Sequence, residues 1–384
     1  TMLIIFIILL SISTCILLSI LSNNDSPLIL EPIGIKVNKL NSSIEIEGSI
    51  EIRNPHKRFE VMIPEFKVLP VILSETETNN IIVTTSLRPK NIGLTNRKDD
   101  YWQAFIIKNH SSAIIDFRLT LEDKKDTNHL KDINSLWIDI LWVSYGPFGR
   151  KNCRKGFVAP IKFPDLEIEL DHNITSTHTS IPIKTHKLGV LDDPVSTIYK
   201  YTFEKILPGD IVTIGETPLA IMQGRYIHPS VIETSPLSKA LCYFFHPTSS
   251  LATACGMQSL INEVGPVRVL VAWLIGSLFK IFKIKGIFYR LAGEQARLVD
   301  DITGTTVPYD QVIVLGPKDA KCYCQKLSKK LGAQVAVVDV NDLGKVKILA
   351  STKGSDTKLI STALRSNPAG NADEQTPLVI IRPS

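Results

Sequence analysis

Residues 335–344 read Val-Ala-Val-Val-Asp-Val-Asn-Asp-Leu-Gly, an apolar run of β-forming residues that ends in two carboxylates. A continuous apolar run is typical of a strand covered on both faces, and open α/β sheets bind ligands beyond the carboxyl ends of such strands. Asp339, Asn341 and Asp342 therefore offer oxygen donors of the kind that Mg²⁺ prefers. The alternative is that the two aspartates form a turn or cap a helix.

The composition is that of a folded protein with room for two or three domains. The chain has 384 residues, of which 44% are apolar and 21% are charged, and these values exclude bulk disorder. The net charge of +5 is spread along the chain, so we predict no nucleic-acid partner. The six cysteines form neither paired metal-binding motifs nor a disulfide framework.

The N-terminal stretch predicts a membrane anchor. Residues 2–22 carry no charge and consist mainly of Ile and Leu, and that length spans a bilayer core as a helix. No basic residue precedes the run and no small-x-small pair closes it, which favours an uncleaved anchor over a signal peptide. We predict a single-pass transmembrane helix at residues 1–24 with membrane lipid as its partner. Lys36 and Lys39 after the run favour a cytoplasmic C-terminal side.

Residues 28–170 are predicted to form a β-sandwich-like module. Residues 44–53 alternate with period two and stop at Asn54-Pro55, a pattern typical of a half-buried strand followed by a turn. The Ile-Arg-Asn-Pro strand end resembles that of late-embryogenesis-abundant type-2 proteins. Further strand candidates, separated by turn residues as in an antiparallel sandwich, are 59–63, 66–73, 81–86, 102–107, 113–121 and 136–143. The predicted role is a spacer or interaction module.

From residue 181 onward short strand and helix patterns alternate, which is typical of an α/β domain. Residues 207–225 read Leu-Pro-Gly-Asp-Ile-Val-Thr-Ile-Gly-Glu-Thr-Pro-Leu-Ala-Ile-Met-Gln-Gly-Arg, and this stretch resembles the opening of the F420-0:gamma-glutamyl ligase family. Leu-Ala-Gly-Glu at 291–294, the 335–344 run and the final strand at 378–382 follow in the family's order. The loop at 367–377 resembles a membrane-attached branch of the family.

We therefore predict an α+β multi-domain protein. Its parts are an N-terminal transmembrane helix, a β-sandwich-like module and, at 181–384, a C-terminal α/β domain of the F420 gamma-glutamyl ligase type. The resemblance implies GTP-driven amide ligation, in which a small-molecule carboxylate is activated as an acyl phosphate and the amine of glutamate attacks it. It also implies a divalent cation (Mg²⁺ or Mn²⁺), which offsets charge on phosphate oxygens, and a homodimer.

The resemblance also assigns site residues. The metal-ligand candidates are Glu294, Asp339, Asn341 and Asp342. The nucleotide- or phosphate-binding candidates are Arg225 and Gly344. Further acidic candidates come from a charged stretch and a loop, for which a solvated face or a plain surface turn is the default interpretation; they are Asp300, Asp301, Asp373 and Glu374.

The first loop departs from the family pattern. Family members carry lysines before the closing turn, where this chain has Glu216-Thr217 and Ala220-Ile221. Because a lysine attracts phosphate and a glutamate repels it, a second hypothesis stays open. It is a membrane-tethered binding or scaffold protein on a ligase fold that has lost its nucleotide chemistry.

Residues 267–288 give a second membrane signal. The run at 269–279 is uncharged but too short to span a bilayer, and Lys280, Lys283 and Lys285 follow it among Ile and Phe. One interpretation is a basic amphipathic helix lying on anionic lipid headgroups. The other is a core helix with lysines at its exposed end.

Overall fold

The computed structural model describes residues 12–14, 26–40, 42–90, 101–124, 129–165, 172–302, 306–340, 344–370 and 374–384. Its contacts divide the chain so that Pro27–Arg225 and Pro317–Ser384 form one compact unit, whereas Tyr226–Gly316 belongs to another. The predicted anchor at 1–24 lies outside the described residues apart from 12–14, and it stays a prediction. In the described ranges no single helix has the length and hydropathy to cross a bilayer. Ala254–Val264 and Pro266–Ile281 have that length and hydropathy only when taken together, and the two helices are bent by 114°.

The N-terminal part of the first unit is a β-sandwich, as predicted. Its strands β1 to β8 are Ile29–Lys39, Ser43–Asn54, Val61–Ser74, Ile81–Lys90, Phe105–Ile107, Ser111–Asp123, Ile133–Gly146 and Gly149–Pro160. One four-stranded sheet has the order β1-β2-β6-β4 and the other has the order β5-β3-β7-β8. Ile46, Ile50 and Ile52 of β2 are fully buried between the sheets, which confirms the period-two pattern.

Two details of the sandwich differ from the sequence prediction. The separate strands predicted at 59–63 and 66–73 are one strand, β3, and a register shift between Met62 and Glu65 accommodates Pro64. Such irregularities are where a strand tolerates proline. Strand β8 was not predicted, because its first half reads Gly-Arg-Lys-Asn-Cys-Arg-Lys and lacks the apolar alternation.

The remaining strands are β9 (Asn173–Ile174), β10 (His178–Ile183), β11 (Ile211–Gly215), β12 (Tyr226–Ile227), β13 (Ile313–Val314), β14 (Gln334–Val340), β15 (Val346–Ser351) and β16 (Leu378–Pro383). A six-stranded mixed sheet has the order β15-β14-β11-β16-β10-β9. Strands β11 and β14 are parallel, and β10 and β11 are both antiparallel to β16. The carboxyl ends of β10, β11 and β14 therefore lie together, and we call this end the carboxyl edge.

The helices are α1 (Pro194–Thr202), α2 (Glu216–Met222), α3 (Pro236–Leu241), α4 (Ala254–Val264), α5 (Pro266–Ile281), α6 (Ile287–Ala292), α7 (Gln295–Leu298), α8 (Ala320–Leu331) and α9 (Thr357–Ala363). One face of the six-stranded sheet packs Val335 and Val337 against residues of α1 and α8. The other face packs Ala336 and Val338 against α9. The apolar run is thus a strand covered on both faces, as its composition predicted.

The opposite end of the sheet is closed by an ion pair. Arg382, near the end of β16, places Nε 3.1 Å from Oδ1 and Nη2 2.9 Å from Oδ2 of Asp210, the residue before β11. Asp210 is 1% exposed, and its Oδ2 also accepts the backbone N–H of Leu207 at 2.8 Å. The Gly-Asp and final-strand segments that carry the sequence resemblance therefore meet in a structural contact.

The second unit is mostly helical around one apolar core. Strand β12 pairs with β13, and side chains of α4, α5 and α6 enclose that pair's Ile313. Helix α5 buries only Val269 and Ala272 among its own residues. The core-helix interpretation of this segment therefore does not match the structure.

Candidate functional site

The carboxyl edge gathers the loops after β10, β11 and β14 and the segment before β16. The backbone N–H of Thr185 donates to the carbonyl of Gln375 at 2.8 Å, and the N–H of Gly215 donates to the carbonyl of Pro377 at 3.1 Å. Gly215 lies opposite Val338 in the parallel pair. Open α/β sheets bind ligands at such an edge, so the chemistry of its side chains decides what this one can bind.

A carboxylate and an ammonium face each other across this edge. Asp339 of β14 and Lys347 of β15 are cross-strand partners, so their side chains share one face of the sheet. Burial raises the pKa of Asp339, and the neighbouring Lys347 charge only partly opposes that rise. Lys347 Nζ is buried and has no hydrogen-bond partner in the described ranges. A buried, unbonded ammonium is costly unless an anion compensates it.

We expect Asp339→Asn to raise the thermal unfolding midpoint at neutral pH. Because its pKa is raised, Asp339 holds its proton to a higher pH in the folded protein than in the unfolded chain. The contribution of this carboxyl to folding stability is therefore fully present below its ordinary pKa of 3.8 and is lost as the pH rises through the folded value. The measurement is the thermal unfolding midpoint of the parent protein and of the variant from pH 3 to pH 8. We expect the variant's midpoint to be the higher one at neutral pH and the difference to vanish at the acid end. The matched control is exposed Asp319→Asn. An equal gain from that variant would contradict the expectation.

A second polar group at this edge was not predicted from the sequence. His186, just beyond β10, is 4% exposed. Its Nδ1 lies 2.5 Å from the Tyr201 hydroxyl oxygen, and its Nε2 lies 2.9 Å from Asp192 Oδ1. The N–H of Gly189 donates to Asp192 Oδ2 at 2.9 Å, and burial raises the pKa of Tyr201. The phenol, imidazole and carboxylate form a continuous hydrogen-bonded relay.

The relay has no recognisable spacing in the sequence. Tyr201 comes from α1, whereas His186 and Asp192 come from the loop before it, and only the packing of that helix brings the phenol to the imidazole. The sequence feature that could have indicated the relay is a histidine followed by two aspartates at 192 and 193. Of these, Asp193 has another role, because it caps α1 by accepting the N–H of Ser196 at 2.8 Å.

The predicted phosphate residues Arg225 and Gly344 both lie in turns, and their phosphate-binding role stays a prediction. Arg225 follows α2, and its backbone N–H donates to the carbonyl of Ala220 at 3.0 Å. Gly344 has φ of +71°, and a Cβ there would lie 3.3 Å from Arg365 Cγ and from the Arg365 carbonyl oxygen, so a larger residue is disfavoured. In the first loop, where the resemblance implies lysines, Glu216 is buried in the first turn of α2.

The other acidic candidates are dispersed. Glu294 is exposed before α7, and Glu374 is exposed before β16. Asp300 pairs through its backbone with Val314. Asp301 Oδ2 accepts the Thr253 hydroxyl at 2.5 Å, and its Oδ1 accepts the N–H of Ile302 at 2.8 Å. These bonds favour the turn interpretation for Asp301.

The described residues do not form the predicted metal site. In the parts of the chain with described positions, no group of three or more His, Cys, Asp or Glu side chains could hold a metal ion. Glu294 and Asp339 belong to different units, and Asn341, Asp342 and Asp373 lie outside the described residues. Mg²⁺ requires a near-octahedral set of oxygen donors, which Asp339 beside Lys347 does not provide. The metal assignment therefore stays a prediction.

Comparison with known proteins identifies the sandwich. Residues 30–163 match the family model described as F420-0:gamma-glutamyl ligase, N-terminal Ig-like domain. The matched region is the β1–β8 sandwich, which lies outside the stretch that carries the sequence resemblance. It therefore indicates a ligase-like relative, and it does so from residues other than those that carry the resemblance.

The other comparisons add little. No curated protein matches the chain. Three chains of solved structures match, and one is a protein from Archaeoglobus fulgidus with 11% identity over 35% of this chain and 98% of that chain, at a TM-score of 0.19. A similarity at that TM-score supports no conclusion about fold or function.

Proposed function

We propose that this protein is a membrane-anchored relative of the F420-0:gamma-glutamyl ligases. In this proposal it joins glutamate to a small-molecule carboxylate through an amide bond, with GTP as co-substrate and Mg²⁺ or Mn²⁺ as cofactor. The observation that carries the proposal is the match of the sandwich to the Ig-like domain of those ligases. The order of motifs in the C-terminal half supports it from independent residues.

Lys347 is the chain's own contribution to anion binding in this proposal. Its ammonium is buried at the carboxyl edge and makes no hydrogen bond with the described residues. It supplies there the positive charge that the family's first-loop lysines would supply, because a charged donor binds phosphate or carboxylate oxygens strongly in a dry site. The described donors do not form a cation site, so we assign no step to the divalent cation.

A binding or scaffold role is the second candidate, and Glu216 favours it. This carboxyl is buried in the first turn of α2, next to Thr217, which stands where the family has a lysine. A buried negative charge in the first loop opposes a nucleotide's phosphates. In this alternative the protein is a membrane-tethered binding or scaffold protein on a ligase fold, and its carboxyl edge has lost nucleotide binding.

Titration of the full chain with GTP, with and without Mn²⁺, separates the two candidates. For the ligase we expect Mn²⁺-dependent heat of binding that is lost in Asp339→Asn/Asp342→Asn. In Lys347→Met we expect it to weaken by about tenfold or more, because a hydrogen bond to a charged group contributes about 1.5–3 kcal/mol. The matched control is Lys353→Met, which removes an exposed lysine that follows the same hairpin.

The outcomes differ clearly. No GTP binding at millimolar concentration would remove the ligase proposal and leave the binding role. Equal weakening by Lys347→Met and Lys353→Met would remove the assignment of Lys347. Glutamate-dependent phosphate release in the presence of candidate carboxylates then reports turnover. The predicted homodimer is checked on the same sample by sedimentation.

A further inference from the structure

Helix α5 carries a continuous apolar stripe on its solvent side. The side chains of this stripe recur at helical spacing and are exposed; they are Val267, Val271, Leu274, Ile275, Leu278 and Ile281. On the opposite side of the helix Val269 and Ala272 enter the core, and Gly276 allows Phe288 to approach, since a Cβ there would lie 3.1 Å from Phe288 Cβ. One side therefore holds the helix to its unit while the other faces water.

The stripe continues beyond the helix. Phe282 and Ile284 follow it and are 68% and 46% exposed. Tyr243, which is 87% exposed, and Phe244 precede it in the chain, and the Phe244 ring packs edge-to-face on Trp273 of α5 at 4.9 Å between centroids. Contiguous exposed apolar surface of this kind marks a docking site, and an aromatic rim suits the boundary between water and lipid.

The charges around the stripe identify what it docks to. Between residues 264 and 293 the chain has no Asp or Glu, whereas its basic residues there are Arg268, Lys280, Lys283, Lys285 and Arg290. The three lysines follow the apolar run at its C-terminal end. A segment whose charges are all cationic attracts anionic headgroups while its apolar side chains enter the acyl boundary.

We propose that the α5 stripe docks on the surface of an anionic lipid bilayer, as a contact additional to the predicted N-terminal anchor. The inference does not rest on the ligase function. A second copy of the same surface is a poor occupant, because it would bring five cations against five without an acidic partner. Docking would hold the helical unit against the membrane.

The test uses the full chain in nanodiscs of phosphatidylcholine alone or mixed with phosphatidylserine. Phe282→benzoylphenylalanine places a photoreactive group on the stripe, and the matched control is the same replacement at Phe203, which is 50% exposed in the other unit. We expect lipid cross-links at position 282 that increase with phosphatidylserine and fall with salt, and few at position 203.

Two further variants separate the apolar and the charged contributions. Leu274→Ser/Leu278→Ser removes stripe side chains, and Lys280→Gln/Lys283→Gln/Lys285→Gln removes the cations; all five residues are exposed. Each lysine near an anionic surface contributes about a fivefold factor, so the triple variant is expected to weaken docking by about 100-fold. The control triple on α8, Lys321→Gln/Lys326→Gln/Lys329→Gln, is expected to change docking little.

Each result bears on the proposal. Phosphatidylserine-dependent lipid cross-links that disappear in both stripe variants support it, provided that circular dichroism shows folded protein. Covalent protein dimers formed through position 282 would overturn it in favour of a second copy. Equal lipid yields at positions 282 and 203, or yields indifferent to phosphatidylserine, would also overturn it.

Discussion

Arg382→Ala is expected to lower the free energy of unfolding by about 3 kcal/mol, the lower end of the range of about 3–5 kcal/mol that is typical of breaking a buried ion pair. Asp210 is 1% exposed and would lose its bidentate partner while remaining buried and charged. The same guanidinium donates to the carbonyl of Lys205 at 3.0 Å, so the variant also leaves that oxygen without this donor. Denaturant unfolding followed by circular dichroism measures the loss.

The matched control is Arg53→Ala in the sandwich. Arg53 pairs with Glu31 at 2.6 Å, but both side chains are about half exposed, and such a surface pair contributes about 0–1 kcal/mol. If Arg382→Ala lowered the free energy of unfolding no more than Arg53→Ala does, the Asp210–Arg382 ion pair would not stabilise the fold as proposed. The double variant Asp210→Asn/Arg382→Ala should cost less than the sum of the single variants, because the two residues are in direct contact.

His186→Phe is expected to cost about 3 kcal/mol, for a different reason. The aromatic ring remains and can keep its contact with the Phe163 ring, whose centroid lies 4.9 Å away. The imidazole's hydrogen bonds to Tyr201 and Asp192 disappear, however. The buried Tyr201 hydroxyl and the partly buried Asp192 carboxylate, which keeps its bond from the Gly189 N–H, each lose a partner at a cost of about 1–3 kcal/mol. Exposed His246→Phe is the control, with an expected change of a few tenths of a kcal/mol for a surface substitution.

Comparing the two variants separates the two ends of the sheet. Arg382→Ala acts at the end opposite the carboxyl edge, so we expect a less stable protein with unchanged ligand affinity under conditions where it is fully folded. His186→Phe acts at the carboxyl edge, so we expect both stability and affinity to fall. If affinity fell equally in both variants, the carboxyl edge would not be the binding end. If His186→Phe left affinity unchanged, the relay would be structural.

Much of the fold was predictable because local patterns and burial agree. Residues 44–53 alternate because one face of β2 packs in the sandwich, and residues 335–338 are continuously apolar because both faces of β14 are covered. The polar strand β8 was missed for the converse reason. Its first half is held by backbone pairing with β7 rather than by apolar side chains. Backbone hydrogen bonds do not require any particular residue types, so they produce no periodic pattern in the sequence.

The candidate site was predictable only in part. Asp339 was identified from its place at the end of an apolar run, and the structure places it at a carboxyl edge. Its neighbour Lys347 depends on the register between β14 and β15, and the His186 relay depends on the packing of α1. Neither contact is a matter of spacing along the chain, so neither could be inferred from residue order.

The sequence by itself determined which segments are apolar and where charges accumulate, and those properties select a strand, a turn or an amphipathic helix through local geometry. It therefore predicted the sandwich, the buried strand at 335–338 and the basic helix near 267–288. Only the tertiary structure decided which face of α5 enters a core and which charges meet. The reason is physical: burial and pairing are properties of residues that are distant in the chain, and they exist only once the chain is folded.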